Sequence, residues 1–488
     1  MATTPVSKSA AIRARVNHPI IDSDGHTVEF EPAFLDYLRQ VGGPAVVERY
    51  LTHRGKMAET ALSPSQNRLS EAERRERRPL RYPWWTVPTK NTLDRATATL
   101  PRLLYERMEE LGLDFSVLYP TAGLFFPHSG DDELRQASCR ALNMFHADYF
   151  RAYADRMTPA AAIPMHTPQE ALTELEYAVK VLGMKAVMMA GYVRRPIRAL
   201  ARKNPEAARH VLWLDTFGLD SEYDYDPVWA KCVELKVPPS FHSVSIGLGS
   251  RTSISNYMYN HIGHFAAAGD ALCKSLFFGG VPRRFPTLKF AFLECGAGWG
   301  CSLYADLIGH WKKRNLRALD NYNPAHLNPE QLVGLYQQYG DRLVQNHIGE
   351  VLTDLGPREG GGDSALLDGW RQCGITKVED FREAFAPHFY FGCEADDPMN
   401  ARAFQGNPFG ARLQAIFSSD IGHWDVPDMR EVVEEAYELV EEGLITERDF
   451  RDFMFVNPVT LWTGMNPDFF KGTVVEKDVE KLLAEGVA

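Results

Sequence analysis

The sequence predicts an α/β fold built on a parallel barrel of eight strands. Short apolar runs typical of strands alternate with amphipathic stretches of helical periodicity along most of the chain. Several of the runs end in a side chain that can bind a metal or move a proton, and parallel barrels carry their chemistry at the carboxyl ends of their strands. The predicted strands are Pro19–Asp24, Phe115–Pro120, Ala160–Pro164, Lys185–Ala190, Pro239–His242, Lys289–Glu294, His388–Gly392 and Ile416–Asp420.

Helical segments separate these strands. The stretch Pro168–Leu182 follows Thr167, a favourable N-cap residue, and has proline at its first position. The stretch Leu134–Ala154 has apolar residues three and four apart, which predicts a second helix. Long insertions are predicted after strands 1, 5 and 6, where they would lie over the site. They cover about 30–110, 243–285 and 300–387, the last with a glycine run at 360–362.

Composition limits the function classes. The chain has 488 residues and a net charge of -11, which argues against nucleic acid as a partner. No apolar run is long enough for a membrane span, and seven scattered cysteines without a C-x-x-C pair fit a reduced, cytoplasmic setting. The expected organisation is a loose tail at 1–17 without the features of a secretory signal, a barrel at 18–465 and a helical extension at 466–488.

Four residues at strand ends are candidate metal ligands. Asp24 and His26 lie two apart at the end of the first predicted strand, so both would point to the same face. His242 ends the fifth strand and Asp420 ends the eighth. Each has an ordinary alternative, because His26 could be a turn residue, His242 a structural one and Asp420 a helix N-cap.

Glu294 ends the sixth predicted strand, after Phe-Ala-Phe-Leu and before Cys-Gly-Ala-Gly. A carboxylate at the end of such an apolar strand is costly to bury without a partner. We therefore expect a metal, a water molecule or an imidazole beside it.

This series of motifs resembles the amidohydrolase superfamily, in the branch of aminocarboxymuconate-semialdehyde decarboxylase and resorcylate decarboxylase. The motifs are Asp24-Gly25-His26, Phe241-His242, Phe285-Pro-Thr-Leu-Lys-Phe290 and Ser419-Asp420-Ile-Gly-His423. The resemblance implies a distorted (β/α)8 TIM barrel holding one divalent metal, with Asp24, His26, His242 and Asp420 as its ligands. Zinc or manganese is the usual ion in such relatives, and iron is possible.

The chain departs from this pattern twice. Many relatives begin with His-x-His, whereas Asp24-x-His26 is similar to the acid-x-His start of the aryl-acid decarboxylases. An oxygen-rich site also favours manganese. The family has a catalytic histidine at the end of strand six, where this chain has Glu294. His264 or His261 from the fifth insertion, or His423 after strand eight, could supply an imidazole instead.

Three functions remain open: non-oxidative decarboxylation of an aromatic or unsaturated carboxylic acid, metal-dependent hydrolysis, and a non-catalytic scaffold. In the first two, Asp420 would carry a proton, and Glu294, His264 and His423 would assist it. We expect a small carboxylated substrate and a homodimer or higher homo-oligomer. Candidate substrate contacts are Arg194, Arg195, Trp84 and Tyr259, with Trp85, Phe125 and Phe126 as further aromatic candidates; a solvated loop or ordinary packing is the alternative for each.

Overall fold

The computed structural model describes residues 6–61, 69–81, 89–208, 210–353 and 367–486. Eight parallel strands form one sheet in the order β1-β2-β3-β4-β7-β8-β9-β10, and β5 pairs with β6 in a separate antiparallel ribbon. The strands are β1 Ile21–Thr27, β2 Phe115–Pro120, β3 Met157–Ile163, β4 Ala186–Met189, β5 Val193–Pro196, β6 Leu212–Asp215, β7 Pro239–Phe241, β8 Phe290–Phe292, β9 Phe389–Cys393 and β10 Gln414–Phe417. The predicted (β/α)8 barrel is confirmed, with β7–β10 as its fifth to eighth strands.

Helices surround the barrel and fill the connections between strands. The α-helices are Lys8–Arg15, Glu31–Ala61, Glu71–Arg77, Thr92–Thr97, Pro101–Leu111, Asp132–Phe150, Pro168–Glu176, Arg198–Lys203, Pro205–Ala208, Asp226–Leu235, Tyr257–His261, His264–Phe278, Val281–Arg284, Gly298–Arg314, Pro329–Tyr339, Arg342–Gln345, Asp380–Phe385, Asn400–Phe404, Val432–Glu441, Glu447–Arg451, Asn457–Thr463 and Glu476–Ala484. Among the described residues, none of the helices combines the length and apolarity needed to cross a bilayer.

The barrel closes between its first and last strands through the segments that carry the candidate ligands. The Asp420 N–H donates to the Asp24 carbonyl at 3.0 Å, and the His26 N–H donates to the Ile421 carbonyl at 2.8 Å. The buried Asp22 carboxylate accepts from the Ser419 N–H at 3.0 Å. These bonds hold the carboxyl ends of β1 and β10 side by side.

The opposite end of the barrel is covered by the C-terminal segment. The rings of Phe469 and Phe470 pack against Phe115, at the start of β2, with centroids 6.4 and 5.3 Å away. Lys185, just before β4, donates from Nζ to the Phe469 carbonyl at 2.5 Å. The amino ends of the strands are therefore sealed, which leaves their carboxyl ends for a site.

Two parts of the fold differ from the expectation. The stretch Lys8–Arg15, predicted as loose tail, is a helix whose Ser7 N-cap accepts from the Ala10 N–H. Ser9 anchors this helix by donating to the Arg430 carbonyl at 2.6 Å. The β5–β6 ribbon was not predicted, because its four-residue strands are too short for a clear periodicity. The glycine run at 360–362 lies outside the described residues.

Burial of His146 predicts sensitivity of the fold to acid. This side chain in helix Asp132–Phe150 is 1% exposed, and burial lowers its pKa to about 3. The unfolded chain, with an ordinary pKa near 6.5, binds the proton first, so stability is lost as the pH falls from about 6.5 towards 3. One such group changes the unfolding free energy by about 1.4 kcal/mol per pH unit.

We therefore expect His146→Leu to have a flatter dependence of unfolding free energy on pH between about 6.5 and 4. Urea denaturation at a series of pH values measures this slope. The exposed His310 provides a matched control, since His310→Leu removes a histidine whose surroundings are solvent. Equal slopes in His146→Leu and the parent would contradict the prediction.

Candidate metal centre

The four predicted ligands meet at the carboxyl end of the barrel. The His26 Nε2 atom lies 3.2 Å from His242 Nε2, 3.5 Å from Asp24 Oδ1 and 3.4 Å from Asp420 Oδ1. The His242 Nε2 atom is 4.0 Å from Asp24 Oδ2. Atoms that share one ion at about 2.0–2.3 Å are about 3–4 Å from each other, so this spacing is that of a ligand set.

The burial of these groups gives a second test of whether they fit an ion. Asp24, His26, His242 and Asp420 are each at most 3% exposed. Neither carboxylate forms a hydrogen bond of good geometry with the described residues. Burial raises the pKa of both carboxyl groups well above its usual value, and lowers that of both imidazoles well below theirs. Buried, unpaired carboxylates beside neutral imidazoles are costly alone, and a divalent cation offsets that cost.

Local sequence explains how β1 brings its two ligands into place. Gly25 packs so closely that a Cβ atom there would lie 2.5 Å from Asp22 Oδ2 and 2.9 Å from Ser116 Oγ. Asp22 accepts from the Ser116 and Ser419 hydroxyls at 2.6 and 2.8 Å. The buried carboxylate of Asp22 thus joins three strands directly beneath the cluster. Sequence reasoning missed it, although it lies two residues before Asp24 in the same strand.

Glu294 and His423 complete the inner part of the cluster. The Glu294 Oε2 atom is 3.0 Å from His242 Nε2 and 3.8 Å from His423 Nδ1. The expectation of an imidazole beside Glu294 is met by this contact. The His423 Nδ1 atom lies 2.7 Å from Asp420 Oδ1, and its ring stacks on that of His26 at 3.6 Å. Glu294 and Asp420 have φ angles of 52° and 50°, a left-handed conformation that is uncommon outside glycine and is found at functional sites.

His264 does not reach the inner cluster and lies one layer further out. Its Nδ1 atom accepts from the Ser245 N–H at 3.4 Å, and its ring packs on Phe265 with centroids 3.8 Å apart. Phe265 in turn meets the edge of His242 at 5.1 Å. Burial lowers the pKa of His264 to about 3, so it stays neutral at pH 7. The direct imidazole neighbour of Glu294 and Asp420 is instead His423.

Aromatic side chains line the wall next to this layer. The His261 ring is 5.5 Å from Trp424 and 5.0 Å from Tyr257, and Tyr257 lies 6.0 Å from Trp424. His261 also contacts the His264 ring at 4.8 Å. The wall therefore joins the insertion after β7 to the loop after β10. Trp424 was not singled out from the sequence, although it follows His423 directly.

Arg195 is not available to bind a substrate, contrary to the expectation. Its Nε donates to Asp215 at 2.5 Å, its Nη1 to the His166 carbonyl at 3.0 Å and its Nη2 to the Tyr225 hydroxyl at 2.9 Å. The side chain is buried and its donors are used. Arg195 instead fastens the β5–β6 ribbon to the loop after β3, because a strand places consecutive side chains on opposite faces and turns this one inward.

We expect Arg195→Ala to lower the unfolding free energy by roughly 3–5 kcal/mol, since it leaves the fully buried Asp215 without its cation. Urea denaturation measures this loss. Arg194→Ala is the matched control, because the neighbouring side chain is exposed and its removal should change stability by at most about 0.5 kcal/mol. Similar stability in both variants would contradict the assignment.

The remaining substrate candidates are not brought to the cluster by any described contact. Arg194 and Tyr259 are exposed, and their roles stay predictions. Phe126 packs against Phe34 at 5.3 Å, so it contributes to a core rather than to a substrate pocket. Phe125 is 44% exposed. Trp84 and Trp85 lie outside the described residues.

The fold and the cluster define an α/β barrel with a buried carboxylate–imidazole centre at the carboxyl ends of its strands. A family model described as amidohydrolase matches residues 114–323. The resemblance to the amidohydrolases predicted from the sequence is confirmed by this match. The matched stretch contains His242 and Glu294, whereas β1 and β10 lie outside it.

Solved structures cover nearly the whole barrel at low identity. The 2,6-dihydroxybenzoate decarboxylase from Rhizobium is 13% identical, with 91% of this chain and 99% of that chain covered and a TM-score of 0.49. Dihydroxybenzoic acid decarboxylase from Polaromonas sp. JS666, solved with bound manganese and 2-nitroresorcinol, is 16% identical over 91% and 97%, with a TM-score of 0.48. The 4-oxalomesaconate hydratase from Rhodopseudomonas palustris is 15% identical over 95% and 99%, with a TM-score of 0.43.

Proposed function

We propose that this protein is a divalent-metal-dependent enzyme that decarboxylates an aromatic or unsaturated carboxylic acid without an oxidant. The observation that carries this proposal is the position of Asp420. Its carboxyl group is buried between the His26 and His423 imidazoles, 3.4 Å from Nε2 of the first and 2.7 Å from Nδ1 of the second. An acid in that position can hold a proton beside a bound substrate and transfer it.

Asp24, His26, His242 and Asp420 would hold one divalent ion, either zinc or manganese, with iron possible. Two carboxylates and two neutral imidazoles suit all three, and the oxygen-rich set favours manganese. Such an ion acts as a Lewis acid that polarises a substrate oxygen. The four ligand residues in turn fix its position at the carboxyl end of the barrel.

Asp420 and His423 supply the proton chemistry in this proposal. Burial and the nearby Glu294 and Asp425 carboxylates raise the pKa of Asp420 well above its usual value. A protonated Asp420 would donate to the carbon that bears the carboxylate. The C–C bond then breaks, its electron pair returns to the ring or unsaturated system, and CO2 leaves. His423, in contact with Asp420, would pass a proton from solvent to restore the acid.

The aromatic wall supports a flat substrate. Tyr257, Phe265 and Trp424 lie within one connected set of ring contacts that reaches the His242 ring. Aromatic rings pack on flat apolar surfaces in offset or edge-on arrangements. A small cyclic or aromatic acid could therefore place its ring against this wall and its carboxyl group towards the cluster.

Hydrolysis is the second candidate, and the contact between His423 and Asp420 favours it specifically. A carboxylate and an imidazole within 2.7 Å can also share the proton of an attacking water. A scaffold without catalysis is less favoured, because unpaired carboxylates are retained in the barrel at a cost in stability.

Isotopic labelling separates the two reactions. A decarboxylase that works in D2O should place one deuterium on the carbon that lost the carboxyl group, and should release CO2 without ¹⁸O in the organic product from labelled water. A hydrolase should place ¹⁸O in an organic product. The substrate panel consists of hydroxybenzoic acids and unsaturated diacids, and mass spectrometry of the organic products gives the answer. Oxygen-18 in an organic product would overturn the lyase assignment.

A homo-oligomeric state and a cytoplasmic location remain predictions from the sequence. Elution volume with light scattering tests the first. A small molecule is the partner that the enclosed cluster favours, because its ligand side chains are at most 3% exposed.

A further inference from the structure

A second set of acidic residues lies at the mouth of the barrel, next to the cluster. One carboxylate oxygen from each of Glu294, Glu394 and Asp425 lies within 4.8 Å of the others. They follow β8, β9 and β10, three strands that are neighbours in the sheet, so their positions are fixed by the barrel rather than by one flexible loop. Only Glu294 of the three was singled out from the sequence.

The state of Glu294 points to a ligand between these groups. Its side chain is 7% exposed, and Oε2 has no hydrogen-bond donor of good geometry among the described residues. Glu394 and Asp425 are exposed, so the set opens to solvent on its outer side. Within the described part of the chain, no lysine or arginine forms an ion pair with Glu394 or Asp425. A buried, unpaired carboxylate oriented towards two others is therefore left uncompensated.

The balance of charge also requires a cation there. Five carboxylates surround the centre, namely Asp24, Glu294, Glu394, Asp420 and Asp425. One divalent ion leaves a net charge of about -3 when all five are ionised and the imidazoles are neutral. An anionic substrate would be repelled by such a site, and a second divalent ion would reduce the net charge to about -1.

We propose that Glu294, Glu394 and Asp425 bind a second divalent cation at the mouth of the barrel. Oxygen atoms about 2.1–2.6 Å from one ion are at most about 5 Å apart, which matches the spacing of this set. Three carboxylates without sulfur or imidazole favour a hard ion such as Mn²⁺ or Mg²⁺. This site rests on the proposed function for the inner ion, and it would supply the positive charge that a substrate carboxylate needs.

Manganese alone is a suitable probe, because it is paramagnetic and can be counted. Protein stripped with a chelator, loaded with Mn²⁺ and desalted should retain two ions per chain by elemental analysis. The electron paramagnetic resonance spectrum should contain features of two coupled ions. The double variant Glu394→Gln with Asp425→Asn should retain one ion, and Asp425→Asn alone should weaken the second ion at least tenfold.

Asp396→Asn is the matched control. It removes one negative charge from the same loop as Glu394, but Asp396 does not belong to the set of three. The control should keep both ions, whereas a loss equal to that in the double variant would overturn the proposal. Both altered side chains of the double variant are exposed, so circular dichroism should match the parent.

The outcomes separate this site from the inner one. One ion in the parent, lost on replacing His26 by alanine, would overturn the second site and leave the proposed function intact. Two ions in the Glu394→Gln, Asp425→Asn variant would also overturn it. No retained ion in the parent would refute the inner metal centre, and the proposed function with it.

Discussion

Replacement of Asp420 by asparagine is expected to remove most turnover while the barrel stays folded. An asparagine amide cannot carry the proton that we assign to this carboxyl group at neutral pH. Losing a general acid typically lowers the rate by about 10²–10⁴-fold. The amide oxygen keeps the shape of the side chain and can still face the ion, so a fall in kcat should exceed any change in KM.

The measurement is kcat at saturating metal, with metal content and near-ultraviolet circular dichroism recorded on the same sample. A variant that retains metal and fold but has lost turnover supports the proton role. His423→Gln should fall less than Asp420→Asn, because in our proposal His423 only passes a proton to the acid. Near-parental activity in Asp420→Asn would show that the proton comes from another group.

Replacement of Glu294 by glutamine should have a comparable effect on rate and an opposite effect on the stability of the metal-free protein. Burial and the neighbouring Asp425 and Asp24 carboxylates raise the pKa of Glu294 well above its usual value. Glutamine keeps the shape and removes this repulsion, so the metal-free protein should gain stability on the order of 1–3 kcal/mol. Activity should fall at least ~10²-fold, because the charge beside His242 is lost.

Glu174→Gln is a matched control for this change. Glu174 is also buried, at 4% exposure, but it accepts from Arg140 and Asn143 at 2.8 Å each. Its replacement should lower stability whether or not metal is present, and should leave the rate unchanged. A Glu294→Gln variant that loses stability without metal and keeps its rate would show that Glu294 only packs.

Glu294→His adds a further comparison, since it restores the residue type that the family pattern has at the end of strand six. The imidazole would stand beside His242 in place of a carboxylate. A gain of ordinary decarboxylase activity in this variant would indicate that the natural enzyme catalyses a different reaction.

The barrel and the inner cluster could be predicted from the sequence because they depend on local signals. Each strand is a short apolar run, and the strand ends of a parallel barrel must meet at one face. Asp24 and His26, two apart in β1, were therefore expected to converge with His242 and Asp420, and the distances among them agree. The helix that begins after Thr167 was equally local, and the Thr167 hydroxyl does accept from the Glu170 N–H.

Residues whose roles depend on pairing between distant segments were missed or misjudged. Arg195 was expected at the substrate, but its partner Asp215 lies in β6, a strand that the sequence did not reveal. Asp22 was overlooked because its partners Ser116 and Ser419 belong to two other strands. Glu394 and Asp425 stand next to Glu294 only after the barrel has formed.

The central claim is that Asp24, His26, His242 and Asp420 hold one divalent ion. Anomalous diffraction from crystals of metal-loaded protein, recorded on either side of the absorption edge of the loaded ion, tests it most directly. We predict a peak within about 2.0–2.3 Å of a ligand atom from each of these four residues. A loaded, active crystal with no anomalous peak among them, or with a peak bound elsewhere, would contradict it.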